Sequence, residues 1–251
     1  MKKNNTRDKL SKVHSHYQIF GLWDTLRYFL IHLLTRTKDD EFDLTYGTDT
    51  TASLSMRYDE QPRAGQVVRS LPTHPKVLKH ILKNLPIDYR DFTFIDFGCG
   101  KGRALLSATD FPFKRIIGVE WSKDLTDIAI RNLKIYRSPR QRCAALEVHC
   151  MNVVDYKFPD SNIILFMYNP FGPKIITQVL ENVQKNALLS PHRFLVVYSG
   201  LGSHEETVIM ECFDRFHIEV VRKCLVLNSQ GSWILGEACR PRPGVPIKEI
   251  L

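Results

Sequence analysis

The chain predicts an α/β fold: a doubly wound, mostly parallel seven-stranded sheet closed by a C-terminal antiparallel hairpin, behind an N-terminal helical extension. Three observations carry this. Apolar strand-like runs alternate with helical patterns from residue 73 onward, as strand-helix-strand units require. The run Asn162 to Tyr168 is hydrophobic at almost every position, as for a central strand buried on both faces. Two late strand-like runs, 216–227 and 231–238, flank Asn228-Ser229-Gln230 and read as a hairpin.

The elements follow in order. Tyr17 to Leu34 is a helix with Ile19, Leu22, Trp23, Leu26, Phe29, Leu30 and Leu33 along one broad face. Asp24, Arg27 and His32 interrupt it, so it falls short of a spanning segment. It either docks on the domain or lies at a membrane interface, helped by eight Lys/Arg against two acids in residues 1–38. Residues 39–63 are polar, turn-rich and weakly periodic, a connector able to cover an active site. A helix begins near Pro75, with Thr73 as the expected N-cap and Val77, Leu78, Ile81, Leu82 and Leu85 inward. Strand 92–97, helix 103–109, strand 115–120 and helix 122–136 follow, the last capped by Ser122. Strand 146–150, strand 162–168, helix 175–187 and strand 193–198 complete the parallel part. No element is assigned to 199–215. The expected division is an extension over 1–63 and a ligand-binding domain over 64–251.

Six cysteines show no metal-ligand spacing and sit largely in apolar runs, which predicts reduced thiols, no metal site and a cytosolic protein. The Lys-rich start lacks a secretory pattern. The net charge of +8 includes a second cluster, Arg131, Lys134, Arg137, Arg140 and Arg142. Without interleaved aromatics this favours a solvated basic face over nucleic acid.

The chemistry concentrates at the predicted carboxyl ends of the strands, where such sheets bind ligands. Asp96-Phe97-Gly98-Cys99-Gly100-Lys101-Gly102 follows the first strand, and Glu120 ends the second. Glycines let backbone lie against a ligand, and an acid at the second strand tip accepts from ribose hydroxyls. The G-x-G-x-G spacing, with Asp96 where a pyrophosphate would be repelled, points away from a dinucleotide. It points to S-adenosylmethionine, whose ammonium and sulfonium a carboxylate helps. The donor contacts expected are Asp96, Gly98, Cys99, Gly100, Gly102 and Glu120. Either Asn152 or Asp155, after the third strand, would meet the adenine amine, with Asn152 preferred.

After the fourth strand comes Tyr168-Asn169-Pro170-Phe171-Gly172. The Asn169 side-chain oxygen and the Pro170 carbonyl suit an amine acceptor, and Phe171 offers a wall near a cationic methyl. A hydroxyl acceptor wants a general base. His74, His192 and His204 sit in no constellation for that role, which favours nitrogen. Tyr46, Thr48 and Asp49 are candidates to close over the donor.

Over residues 73 to 238 the chain resembles class I S-adenosylmethionine-dependent methyltransferases. Pro72-Thr73-His74, Asp96 to Gly102, Gly118-Val119-Glu120 and Tyr168 to Gly172 are similar to the non-SET histone-lysine methyltransferase type and its bacterial relatives. The resemblance implies donor contacts by Asp96, Gly98, Gly100 and Glu120 and an acceptor-facing Asn169. Asn169-Pro170-Phe171 also resembles the Asn-Pro-Pro-Tyr/Phe motif of adenine and glutamine methylating enzymes, but lacks the second proline. The expected activity is N-methylation of a protein lysine or other amine. The alternatives are O-methylation of a small molecule or glycan, and a non-catalytic nucleoside-binding module. The expected partner is an unidentified acceptor, with peripheral membrane contact through residues 1–38 a further expectation.

Overall fold

A computed structural model describes residues 39–51, 55–57, 67–69, 72–201, 203–225 and 232–238. The predicted helix at 17–34 and the hairpin turn at 228–230 lie outside the described residues, as do the proposed membrane contacts of residues 1–38. The elements are α1 Asp39–Tyr46, β1 Ser55–Arg57, β2 Val67–Arg69, α2 Pro75–Lys83, β3 Phe92–Phe97, α3 Arg103–Ala108, β4 Arg115–Glu120 and α4 Lys123–Ile135. They continue with β5 Leu146–Cys150, β6 Asn162–Tyr168, α5 Pro173–Leu189, β7 Phe194–Leu201, α6 Ser203–Arg215, β8 Ile218–Leu225 and β9 Ser232–Ala238.

Seven strands form one sheet in the order β5-β4-β3-β6-β7-β9-β8. The pairs from β5 to β7 are parallel, whereas β9 is antiparallel to β7 and β8. The chain builds outward from β3 to β5, then returns to lay β6 on the other side of β3. Strand order therefore reverses between β3 and β6, and the crevice outside their carboxyl ends is where such a sheet takes a ligand.

The sheet is covered on both faces. One layer joins Ile95, Phe97 and Met167 to Val179, Leu180 and Val183 of α5 and Ile209 and Phe213 of α6. The other joins Phe94, Phe166, Val197 and Trp233 to Leu78, Ile81 and Leu82 of α2 and Leu105 of α3. Every residue of β3 is buried, which explains why its sequence does not alternate.

Three local details differ from the sequence expectation. The N-cap of α2 is His74, whose Nδ1 accepts from the Lys76 N–H at 3.2 Å, while Thr73 is buried. Helix α6 occupies 203–215, where no element is expected. Its polar surface dilutes the 3.6-residue repeat, yet Ile209, Cys212 and Phe213 are buried. The connector 39–63 contains α1 and the short strand β1, which pairs with β2 across the expected boundary at 63/64. Eight residues are too few for intrinsic helix stability. Helix α1 is held instead by Phe42, stacked 6.1 Å from Tyr136, with the Arg103 guanidinium 5.1 Å from the Phe42 ring centroid.

Among the described residues no helix is long and apolar enough to cross a membrane, and no cluster of three metal-ligating side chains occurs. Cys99, Cys143, Cys150 and Cys212 are free thiols.

Candidate active site

The parallel register brings the carboxyl ends of β3, β4, β5 and β6 level: Asp96 pairs with Gly118 and Phe166, and Glu120 with Cys150. The glycine loop turns back on β4. Gly98 and Cys99 donate their N–H groups to the Val119 carbonyl at 2.8 and 3.3 Å. Gly98, Gly100 and Gly102 have φ of 76°, 53° and 87°, a left-handed region that a β-carbon penalises. A β-carbon on Gly98 would stand 2.6 Å from Pro170 Cβ and 3.5 Å from Phe171 Cζ. The loops singled out for donor and acceptor are thus in direct contact.

Glu120 is 7% exposed, and both its oxygens organise backbone. Oε2 accepts from the Gly100 N–H at 3.0 Å and Oε1 from the Ser122 N–H at 2.9 Å. Each carboxylate oxygen retains a lone pair, so ribose hydroxyls can still be accepted. Burial raises the Glu120 pKa, while the N–H donors oppose that shift. Asp96 is 3% exposed. Burial, and then the Glu120 charge, push it up to about 8. Burial thus favours the protonated form of Asp96, while the two N–H donors favour the carboxylate of Glu120. The same burial and both acids push the Cys99 thiol well up, which makes it a packing residue and not a nucleophile.

A small cavity of ≈ 40 Å³ is lined by Thr50, Thr73, Asp96, Gly98 to Lys101, Arg103 and Tyr168. This space is far smaller than a nucleoside site, so the 39–51 segment lies close over the glycine loop. Lys101 Nζ, almost fully buried, meets Asp49 Oδ1 at 2.7 Å. Arg103, equally buried, donates to Thr50 Oγ1 at 2.6 Å, to Thr51 Oγ1 and to Asp43 Oδ2 at 3.3 Å. Asp43 also accepts from the Thr48, Thr50 and Thr51 hydroxyls and from the Thr50 and Thr51 N–H groups. Although burial pushes the other way, these donors together hold its pKa down to about 2.

The sequence-predicted residues are placed as follows. Asp96, Gly98, Cys99, Gly100, Gly102 and Glu120 converge on the crevice. Asn152 caps a 3-10 turn over Val153–Asp155, its Oδ1 accepting from the Val154 N–H at 3.2 Å, and Asp155 is exposed. Asn169 has a left-handed φ of 40°, is exposed, and accepts from the Tyr198 hydroxyl at Oδ1, 3.1 Å away. Tyr46 turns from the crevice onto Tyr136, ring centroids 4.7 Å apart, and its hydroxyl accepts from Arg140. Thr48 serves Asp43. His192 bonds Asp160 at 2.7 Å just before β7, at the sheet's opposite edge. His204 lies in α6.

Several residues were not anticipated. Trp121 follows Glu120 and is 41% exposed at the mouth of the crevice. Arg103, Asp43 and Asn132 build the connection to the 39–51 segment. One signal was readable: Asn132 interrupts the inward stripe Leu125, Ala129 and Tyr136 of α4, and a buried amide demands partners.

The comparisons with known proteins follow this geometry. No protein-family model matches the chain. A crystal structure of an S-adenosylmethionine-dependent methyltransferase from Methanosarcina mazei superposes with a TM-score of 0.50. It is 14% identical and covers 68% of this chain and 100% of that one. The chain shares the Rossmann-like fold of that methyltransferase. In sequence, the chain is 28% identical over 160 residues to a histone-lysine N-methyltransferase, H3 lysine-79 specific, from Dictyostelium discoideum. That match takes in 52% of this chain and only 9% of the relative's length.

The Asp96 environment carries a pH prediction. A cationic ligand group beside Asp96 favours its carboxylate, so donor binding releases a proton below about pH 8. Affinity for S-adenosylmethionine is expected to climb from pH 6 to 8 by up to about tenfold per unit. Calorimetry in buffers of different ionisation enthalpy detects that proton. A pH-independent affinity with no proton release would show that Asp96 does not titrate with binding.

Proposed function

We propose that this chain is an S-adenosylmethionine-dependent methyltransferase acting on nitrogen, with a protein lysine or another amine as acceptor. The observation that carries the donor is the pair of buried carboxylates at the carboxyl ends of β3 and β4 around a left-handed glycine loop. These residues fit the donor's chemistry: Glu120 presents lone pairs to a sugar, Asp96 a latent carboxylate to an ammonium, and the glycines a backbone surface without β-carbons.

When bound, S-adenosylmethionine supplies a methyl group on a cationic sulfur, so the protein's task is alignment and water exclusion. Asn169 is held by Tyr198 through one lone pair of Oδ1. The second lone pair, together with the Pro170 carbonyl, is available to N–H groups of an amine. Phe171 lies against the Gly98 side of the same junction and supplies an apolar wall. His192, bonded to Asp160 just before β7, lies at the opposite end of the sheet from this junction. An amine that arrives unprotonated needs no general base, whereas a hydroxyl acceptor does. Asn152 and Asp155 remain the candidates for the adenine amine. The 28% identity to the Dictyostelium lysine methyltransferase supports a protein amine.

Incubating the purified protein with methyl-labelled donor and a cell lysate tests the reading. Label is expected on protein amines, located by mass shift. Label confined to hydroxyl compounds would replace it with O-methylation. Tight donor binding with no transfer would replace it with a nucleoside-binding module. For an acceptor so identified, Asn169→Ala is expected to lower turnover by roughly 10²-fold while leaving donor affinity nearly unchanged. Unchanged turnover would remove Asn169 from the acceptor site.

A further inference from the structure

We infer that Asn132, on α4, is the positioning residue that fastens the 43–51 segment over the donor loop and sets how fast the donor leaves. This rests on the proposed donor site, and it concerns a side chain outside that site's contacts. Asn132 is 2% exposed, on a helix face it shares with buried Leu125, Thr126 and Ala129. Its oxygen and both its N–H groups are engaged by two other chain segments. Oδ1 accepts from the Asp49 N–H at 2.9 Å, and Nδ2 donates to the Asp49 carbonyl at 2.8 Å and to the Lys101 carbonyl at 2.9 Å. Lys101 closes the circuit through its ammonium on Asp49 Oδ1 at 2.7 Å.

One amide thus ties the covering segment to Lys101 of the glycine loop. No backbone ladder joins these segments, so side chains carry the attachment. The second fastening, Arg103 to Asp43, Thr50 and Thr51, lies on α3 and shares no hydrogen bond with Asn132. A covered donor must wait for both fastenings to open. Entry also needs the segment lifted, so weakening one fastening speeds arrival as well as departure.

The substitution Asn132→Leu preserves volume and burial and removes all three bonds. Val183→Ala, in the α5 core and remote from the segment, serves as a comparator matched for lost melting temperature. Amide exchange followed by NMR on the ligand-free protein reads the Thr50 and Thr51 N–H groups. These bond to Asp43 and not to Asn132, so they report the segment and not the deleted bond. In Asn132→Leu their exchange is expected to quicken at least roughly tenfold, with Val183→Ala unchanged there. Stopped-flow binding of S-adenosylhomocysteine is expected to show about tenfold faster dissociation, with association quickened by a similar factor. Exchange at Thr50 and Thr51 equal to wild type, or matched by Val183→Ala, would overturn the inference. So would accelerated exchange with an unaltered dissociation rate. If wild-type protein fails to bind S-adenosylhomocysteine, the donor reading fails, and the exchange result still decides whether Asn132 fastens the segment.

Discussion

Glu120→Ala is expected to weaken S-adenosylmethionine binding by about 10²-fold or more. Two hydrogen bonds from ribose hydroxyls to a carboxylate are worth roughly 1.5–3 kcal/mol each, and each 1.4 kcal/mol is about a factor of ten. The loss is compounded because Glu120 also holds the N–H groups of Gly100 and Ser122, so alanine frees the glycine loop as well. Glu120→Gln separates the two contributions. It keeps the shape but turns one acceptor oxygen into a donor facing a backbone N–H, so it too is expected to bind poorly. Calorimetric titration measures both variants. Affinity within about threefold of wild type in Glu120→Ala would show that the sugar is held elsewhere and would remove the foundation of the donor site.

Gly98→Ala is expected to be strongly destabilising. The left-handed backbone costs about 1–2 kcal/mol for a residue with a β-carbon. The new atom would also stand 2.6 Å from Pro170 Cβ, and forced overpacking costs typically about 1–3 kcal/mol. Together they approach half the stability of an ordinary domain. Gly47→Ala is the built-in control, because Gly47 shares the left-handed φ, at 67°, with nothing within 4 Å of its virtual β-carbon. Thermal unfolding should show a much larger fall for Gly98→Ala than for Gly47→Ala. In any folded fraction, transfer is expected to fail before donor binding does, since the displaced residue is Pro170. Equal melting temperatures for the two variants would show that the donor and acceptor loops are not in rigid contact.

The proposed donor site was legible because its chemistry is local. Each of Asp96, Gly98, Gly100 and Glu120 sits within a few residues of a strand end, and parallel strands place their carboxyl ends on one edge. The acceptor loop was legible for the same reason, as Asn169 directly follows β6. The segment 39–51 was not legible as structure. Its helix is too short to declare itself through periodicity, and its partners, Arg103 and Asn132, are more than 50 residues away. Tyr46 was drawn toward the donor by position in sequence, yet aromatic packing with Phe42 and Tyr136 turns it elsewhere. Helix α6 escaped because its buried positions, Ile209, Cys212 and Phe213, are few among polar neighbours.

By itself, the order of residues determined the alternating strand and helix layout, the reversed hairpin and the identity of the carboxylates at the ligand edge. These depend on periods of two and 3.6 residues and on turn chemistry, all of which act over short stretches of chain. Only the tertiary structure decided how far each carboxylate is shifted, because that depends on burial and on the backbone N–H donors that reach Glu120. It also decided that the acceptor loop abuts the donor loop at Gly98 and that Asn132 spends its amide on the covering segment. Such contacts join residues distant in sequence, and their energies come from desolvation and close packing, which exist only once the chain has folded.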